Sequence, residues 1–80
     1  MPNWRDTYME LFESGKRMTW KERVIALARF EMNRHKKDSS YCIEDALCAG
    51  FEDFELMSGH YIDPTVDEYD ELLNELEVYA

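Results

Sequence analysis

Apolar residues recur along this chain at intervals of three and four, the spacing that lines one face of an α-helix. Trp4, Tyr8, Leu11 and Phe12 form the first such stripe. They predict a helix of about Trp4 to Ser14, capped by Asn3 and stopped by Gly15. "TWKE" follows, and Thr19 with Glu22 has the form of a capping box, in which each residue satisfies the other's free backbone N–H. The second helix is expected over Trp20 to Lys37, with Trp20, Val24, Leu27, Ala28 and Met32 facing inward and Ile25 on the flank. Arg34, His35, Lys36 and Lys37 then fall in its last turn, where cations complement the negative end of the helix dipole.

Asp38, Ser39 and Ser40 are turn-and-cap residues, and any of them can start a third helix lined by Ile43, Leu47 and Phe51 or Phe54. Gly50 interrupts that pattern. The expectation is a stop near Ala49 and a short second piece over Phe51 to Met57. "SGHYIDP" reads as a loop punctuated by Gly59 and Pro64. "TVDE" repeats the capping box with Thr65 and Glu68 and opens a last helix of about Val66 to Tyr79. Its expected apolar face is Val66, Tyr69, Leu73 and Leu76, with Leu72 and Tyr79 beside it. With only three glycines and two prolines in 80 residues, the chain favours long regular elements. The expected fold is all-α, a compact single-domain bundle of four to five short helices spanning residues 1–80.

Charge changes this picture more than composition does. The net charge of −9 is unevenly spread. Residues 1–37 hold all nine Lys and Arg and only five acids, a net +4; residues 38–80 hold the other thirteen acids and no Lys or Arg, a net −13. Such a division into a basic N-terminal and an acidic C-terminal half speaks to association with partners. The acidity peaks in "VDEYDELLNELE", where Asp67, Glu68, Asp70, Glu71, Glu75 and Glu77 have no base among them. A solvated outer face is the plain reading of a charge run. Two costs weigh against it. Carboxylates near a helix C-terminus, as at Glu75 and Glu77, oppose the dipole by about 0.3–1 kcal/mol each, and like charges at i,i+4 cost a few tenths more. Relief can come from basic helix two, through Arg23, Arg29, Arg34, Lys36 or Lys37, or from a basic surface on a partner.

Carboxylates strung along a helix can imitate the phosphates of a duplex, one charge per ~1.7 Å of axis. The function expected is therefore a small non-catalytic acidic binding protein. It docks on a basic protein surface, above all a nucleic-acid-binding groove, as an inhibitor or nucleic-acid mimic. Size and charge are analogous to those of phage and other mobile-element proteins that block host defence complexes. The expected partner-binding residues are Glu52, Asp53 and Glu55, then Asp67, Asp70, Glu71, Asn74 and Glu77, with Phe54, His60, Tyr61 and Tyr79 as anchors. The expected partner is a basic protein or nucleic-acid-handling complex, with no direct contact to nucleic acid and none to membrane. The alternative, from a different class, is a self-associating structural or adaptor module, such as a homodimer, joining its oppositely charged halves.

Other chemistry finds little footing. "EDALCAGFEDFELMSG" resembles the helix-turn-helix spacing at Ala46, Gly50, Phe51 and Leu56, which gives a third reading as a weak DNA binder. The residues that would enter the groove, Glu52, Asp53 and Glu55, repel phosphate. There is no phosphate loop, nucleophile elbow or metal-helix motif. Ser58, His60, Tyr61 and Asp63 are the types that a turn-rich loop collects by chance, so no catalytic residue and no cofactor is expected. Cys42 and Cys48, six apart, match neither a zinc nor a redox pair, and His35 and His60 add no ligand spacing. The thiols are expected to be free and buried and the compartment cytoplasmic. "MPNWRDTYMEL" has no apolar h-region or cleavage site, so no signal peptide is expected, and no run reaches the ~18 apolar residues of a membrane span.

Overall fold

Three helices build the domain. α1 spans Trp20–Arg34, α2 spans Ile43–Ser58 and α3 spans Val66–Tyr79. The computed structural model describes residues 18–79, the Tyr79 side chain excepted, so the helix expected over residues 4–14 lies outside the described residues. Among the described residues there are thus three helices where four to five were expected in the whole chain. The third helix expected from the sequence and its short second piece are one continuous element.

Both predicted capping boxes are present. The Glu22 N–H donates to Thr19 Oγ1 at 3.2 Å and the Thr19 N–H donates to Glu22 Oε1 at 3.3 Å. At α3 the Glu68 N–H donates to Thr65 Oγ1 at 3.1 Å and the Thr65 N–H donates to Glu68 Oε1 at 2.9 Å. The Thr65 N–H bond, aided by the Thr65 hydroxyl and Lys21, holds the Glu68 carboxyl below its ordinary pKa. α1 ends at Arg34, earlier than expected; His35 is its C-cap, and Lys36 and Lys37 lie in the turn beyond. The start of α2 also differs. Asp38 is occupied by Ser40, whose N–H and Oγ–H both donate to Asp38 Oδ1, at 3.0 and 2.6 Å. The N-cap is Cys42, whose Sγ lies 3.2 Å from Asp45 Oδ2. Both thiols are exposed, contrary to the buried positions expected.

Gly50 explains the length of α2. It is buried in mid-helix, and a Cβ there would lie 2.8 Å from the Val24 carbonyl oxygen and 3.3 Å from Ala28 Cβ. Glycine's weak helix propensity, about 1 kcal/mol below alanine, is outweighed here by a backbone approach that only glycine permits. The turn that a helix-turn-helix needs is therefore absent at this position. α2 stops at Gly59, which takes a left-handed φ of 73° and donates its N–H to Glu55 O at 2.9 Å.

α1 packs chiefly on α2, and α3 lies against both. The core comprises Val24, Ile25, Leu27 and Ala28 of α1, Ala46, Leu47 and Phe54 of α2, and Leu72 and Leu76 of α3. Trp20 closes one end, its ring 6.3 Å from that of Phe51, and Ile62 packs the connecting loop onto the same core. α3 is rotated from the expected face: Leu72 and Leu76 are fully buried, Tyr69 and Leu73 flank them, and Val66 points outward at 77% exposed. Among the described residues no helix is long and apolar enough to cross a membrane.

Candidate partner-binding surface

The outer faces of α2 and α3 carry the acidity. At 100° per residue, Glu44, Asp45, Cys48, Glu52, Glu55 and Leu56 fall within an arc of about 120° on α2, and all six are exposed. On α3, Val66, Asp67, Asp70, Glu71, Asn74, Glu77 and Val78 share an arc of about 140°, again all exposed. Neither helix has a basic residue in its last turn, so the negative end of each dipole is unrelieved by its own side chains. Acids in the first turns, Glu44 and Asp45 on α2 and Asp67 and Glu68 on α3, sit where the dipole favours them.

α1 supplies some internal compensation, through Lys21. Its Nζ lies 3.2 Å from Glu71 Oε2 and 3.8 Å from Glu68 Oε2, and 5.8 Å from the centre of the Trp20 ring. The basic and acidic helices are therefore neighbours. Glu71 remains exposed, and an ion pair of this kind contributes only about 0–1 kcal/mol.

A different set of carboxylates lies in the seam between α1 and α2. Glu31 is only 6% exposed. Its oxygens lie 3.6 Å from His35 Nε2 and 3.8 Å from Arg34 Nη1. His35 stacks on Tyr41, ring centres 4.2 Å apart. Asp53, facing this cluster from α2, is half-buried, and its Oδ2 is buried with no hydrogen-bond donor among the described residues. Its pKa is pushed up to about 6, first by burial and then by the charges of Glu31 and Glu52, with Arg34 opposing. The Tyr41 hydroxyl is raised by burial and by Glu31. A depression of about 550 Å³ opens beside this seam, lined by Met32, Asn33, His35, Lys36, Asp38, Tyr41, Cys42 and Ile43.

The predicted binding residues thus divide. Glu52, Glu55, His60, Tyr61, Asp67, Asp70, Glu71, Asn74 and Glu77 are exposed, and the α3 members share one face as expected. Phe54 is 4% exposed and belongs to the core, so it offers no surface to a partner. Asp53 is turned toward the seam, away from Glu52 and Glu55. The Tyr79 side chain lies outside the described residues. The exposed apolar side chains that sequence reasoning missed are Leu56, Val66 and Val78. Leu56 had a signal: placed between Glu55 and the loop, it falls on the same stripe as Glu52.

Among the described residues, no three His, Cys, Asp or Glu side chains converge in a way that could hold a metal ion. No family model, no curated protein and no solved structure matches the chain. The geometry of the two acidic faces is therefore the ground for a functional reading.

Proposed function

We propose that this chain is a non-catalytic binding protein whose acidic faces dock on a basic protein surface, and that the preferred surface is a groove that otherwise holds nucleic acid. The observation that supports this most directly is the one-signed exterior of α2 and α3. Residues 43–79 contain no Lys or Arg, and eight of their carboxylates, Glu44, Asp45, Glu52, Glu55, Asp67, Asp70, Glu71 and Glu77, are exposed on the two outer arcs. Asp67, Asp70, Glu71 and Glu77 place four carboxylates along roughly 15 Å of the α3 axis, about one charge per 5 Å. One nucleic-acid strand carries a charge per roughly 3.4 Å. Electrostatic steering brings the partner in, and apolar contacts at Leu56, Tyr61, Val66 and Val78 supply the short-range part. The mode of action is stoichiometric block of the groove, as in small inhibitors of mobile-element type, acting in the cytoplasm.

The test is retention from a cytosolic lysate at about 0.15 M salt, where the Debye length is ~8 Å. The wild type is compared with a variant carrying Asp67→Asn, Asp70→Asn, Glu71→Gln and Glu77→Gln. The proposal expects a nucleic-acid-handling protein to be retained by wild type and released by the variant. Equal retention by both baits contradicts it. A salt-sensitive dimer of the chain alone, with no retained partner, would favour self-association through the charge-split halves instead.

A further inference from the structure

Two carboxyls face each other across the seam between α1 and α2. Glu31 is the one charged side chain buried among the described residues, at 6% exposed. His35 Nε2 at 3.6 Å and Arg34 Nη1 at 3.8 Å approach it, both beyond hydrogen-bond distance. Asp53 comes from α2, and its buried Oδ2 has no hydrogen-bond donor among the described residues. An ionised carboxylate can only accept, so in that form the oxygen stays buried and unsatisfied. A protonated carboxyl carries its own O–H, which turns the orphan acceptor into a donor beside the charge of Glu31.

Burial acts first on Asp53 and favours its proton. Of the charges around it, Glu31 on α1 and Glu52 on α2 also favour the proton, and Arg34 on α1 opposes it. Tyr41, on the linker, faces both acids; burial, then Glu31, then more weakly Asp53 keep its hydroxyl protonated. The Asp53 proton is therefore held below about pH 6 and lost as the pH rises through that value.

Residues 35–42, which join α1 to α2, are what this balance can move. Their backbone bonds are short-range: His35 N–H to Glu31 O, Asp38 N–H to His35 O and Tyr41 N–H to Asp38 O. Tyr41, half-buried and stacked on His35 at 4.2 Å between ring centres, is their hold on the seam. The depression of about 550 Å³ lies against the same residues and leaves them room to shift. Ionising both acids demands water, and the linker is the least buried cover the seam has, with Lys36, Lys37, Asp38, Ser39 and Ser40 all exposed. We propose that the seam is a proton-operated latch: a proton on Asp53, facing Glu31, keeps the 35–42 linker closed on α1, and its loss releases the linker while the three helices stay folded. The latch does not depend on the docking reading, because neither Glu31 nor Asp53 lies on the outer arcs.

Carboxyl carbon NMR and amide hydrogen exchange on the full-length protein, between about pH 5 and pH 7, test it. Asp53 should titrate with a midpoint of about 6. The nuclear Overhauser contact between the His35 and Tyr41 rings should weaken along the same curve. Amide protection at His35 and Tyr41, corrected for the intrinsic pH dependence of exchange, should fall about fivefold, less than the tenfold of one full pKa unit because the site is half-buried. Asp53→Asn, a neutral isostere, should hold the linker closed at both pH values. Glu31→Gln should return Asp53 toward the ordinary carboxylate range. If Glu31→Gln misfolds, Asp53→Asn still decides, because that site is half-buried and a native amide spectrum verifies the fold. A ring contact that ignores pH, or an Asp53 midpoint in the ordinary range, would overturn the latch. So would wild-type pH dependence in Asp53→Asn, which would make His35 the titrating group. Equal protection of the Tyr41 and Leu47 amides would also overturn it, by showing that the linker opens only when the whole domain unfolds.

Discussion

Glu52 and Asp53 are adjacent in sequence, carry the same charge and sit in opposite surroundings. Glu52 is exposed on the outer arc of α2, among other carboxylates and water. Asp53, a hundred degrees around the helix, turns toward the seam with α1, where Glu31 is already buried and its own Oδ2 finds no donor among the described residues. In the seam a carboxylate is costly, which shows in a pKa raised to about 6. On the outer arcs a carboxylate costs the fold little and remains available to a partner. The comparison teaches that the count of acids says less than their angle on the helix: the seam's charges are tied to the packing of the fold, and the outer charges face solvent, where the proposed docking would use them.

The sharpest break between the regions is apolar. Leu47→Ala and Leu72→Ala, both at fully buried positions, should each cost about 2–5 kcal/mol in urea unfolding. Leu56→Ala on the outer arc should stay within about 0.5 kcal/mol. If Leu56→Ala destabilised as much as Leu47→Ala, the division would be wrong.

Gly50→Ala comes next. In an exposed helix the change would gain about 1 kcal/mol. Here the added Cβ meets the Val24 carbonyl at 2.8 Å, an obstacle of backbone that cannot swing aside, so a net loss of about 1–3 kcal/mol is expected. A stabilised variant would show that α1 and α2 are not in such close contact.

Asp53 sharpens the comparison through pH. Its folded pKa lies above the ordinary carboxylate value, so folding favours the protonated form. Its contribution is then complete at low pH, below the unfolded carboxylate pKa, and is lost as pH rises through about 6. On this group's account, wild type should be more stable at pH 5 than at pH 7. Solvent screening at a half-buried site reduces the effect to about 1 kcal/mol. Asp53→Asn should abolish that difference between the two urea midpoints, and Glu52→Gln should preserve it.

The smallest effect on stability belongs to the outer face. Neutralising Asp67, Asp70, Glu71 and Glu77 together should leave the unfolding midpoint unchanged or raise it slightly, because like-charge pairs such as Asp67 with Glu71 are relieved by a few tenths of a kcal/mol each. Loss of the Lys21–Glu71 pair subtracts a similar amount.

Much of the fold could be read from local chemistry. Thr19 with Glu22 and Thr65 with Glu68 announce two helix starts because a capping box is a short-range bond between residues three apart. The α3 arc of Asp67, Asp70, Glu71, Asn74 and Glu77 was readable for the same reason, since helical period alone places those side chains together. What escaped was set by tertiary contact. Gly50 looked like a break because its propensity is visible in sequence and the Val24 carbonyl that demands it is not. Phe54 looked like an anchor because aromatics among acids read alike on either face, and only the packing of α1 on α2 places it in the core. Asp38 looked like a cap until Ser40 took its oxygen.

The most direct measurement is a competition. Duplex DNA would be titrated, at about 0.15 M salt, into the complex between this protein and a basic protein recovered by the retention experiment proposed above. If the acidic arcs occupy the groove that holds nucleic acid, DNA and this protein displace each other with one shared site, and the variant neutralised at Asp67, Asp70, Glu71 and Glu77 is displaced at lower DNA concentration. A ternary complex, in which DNA binds while this protein stays bound with undiminished affinity, would contradict the proposed mimicry.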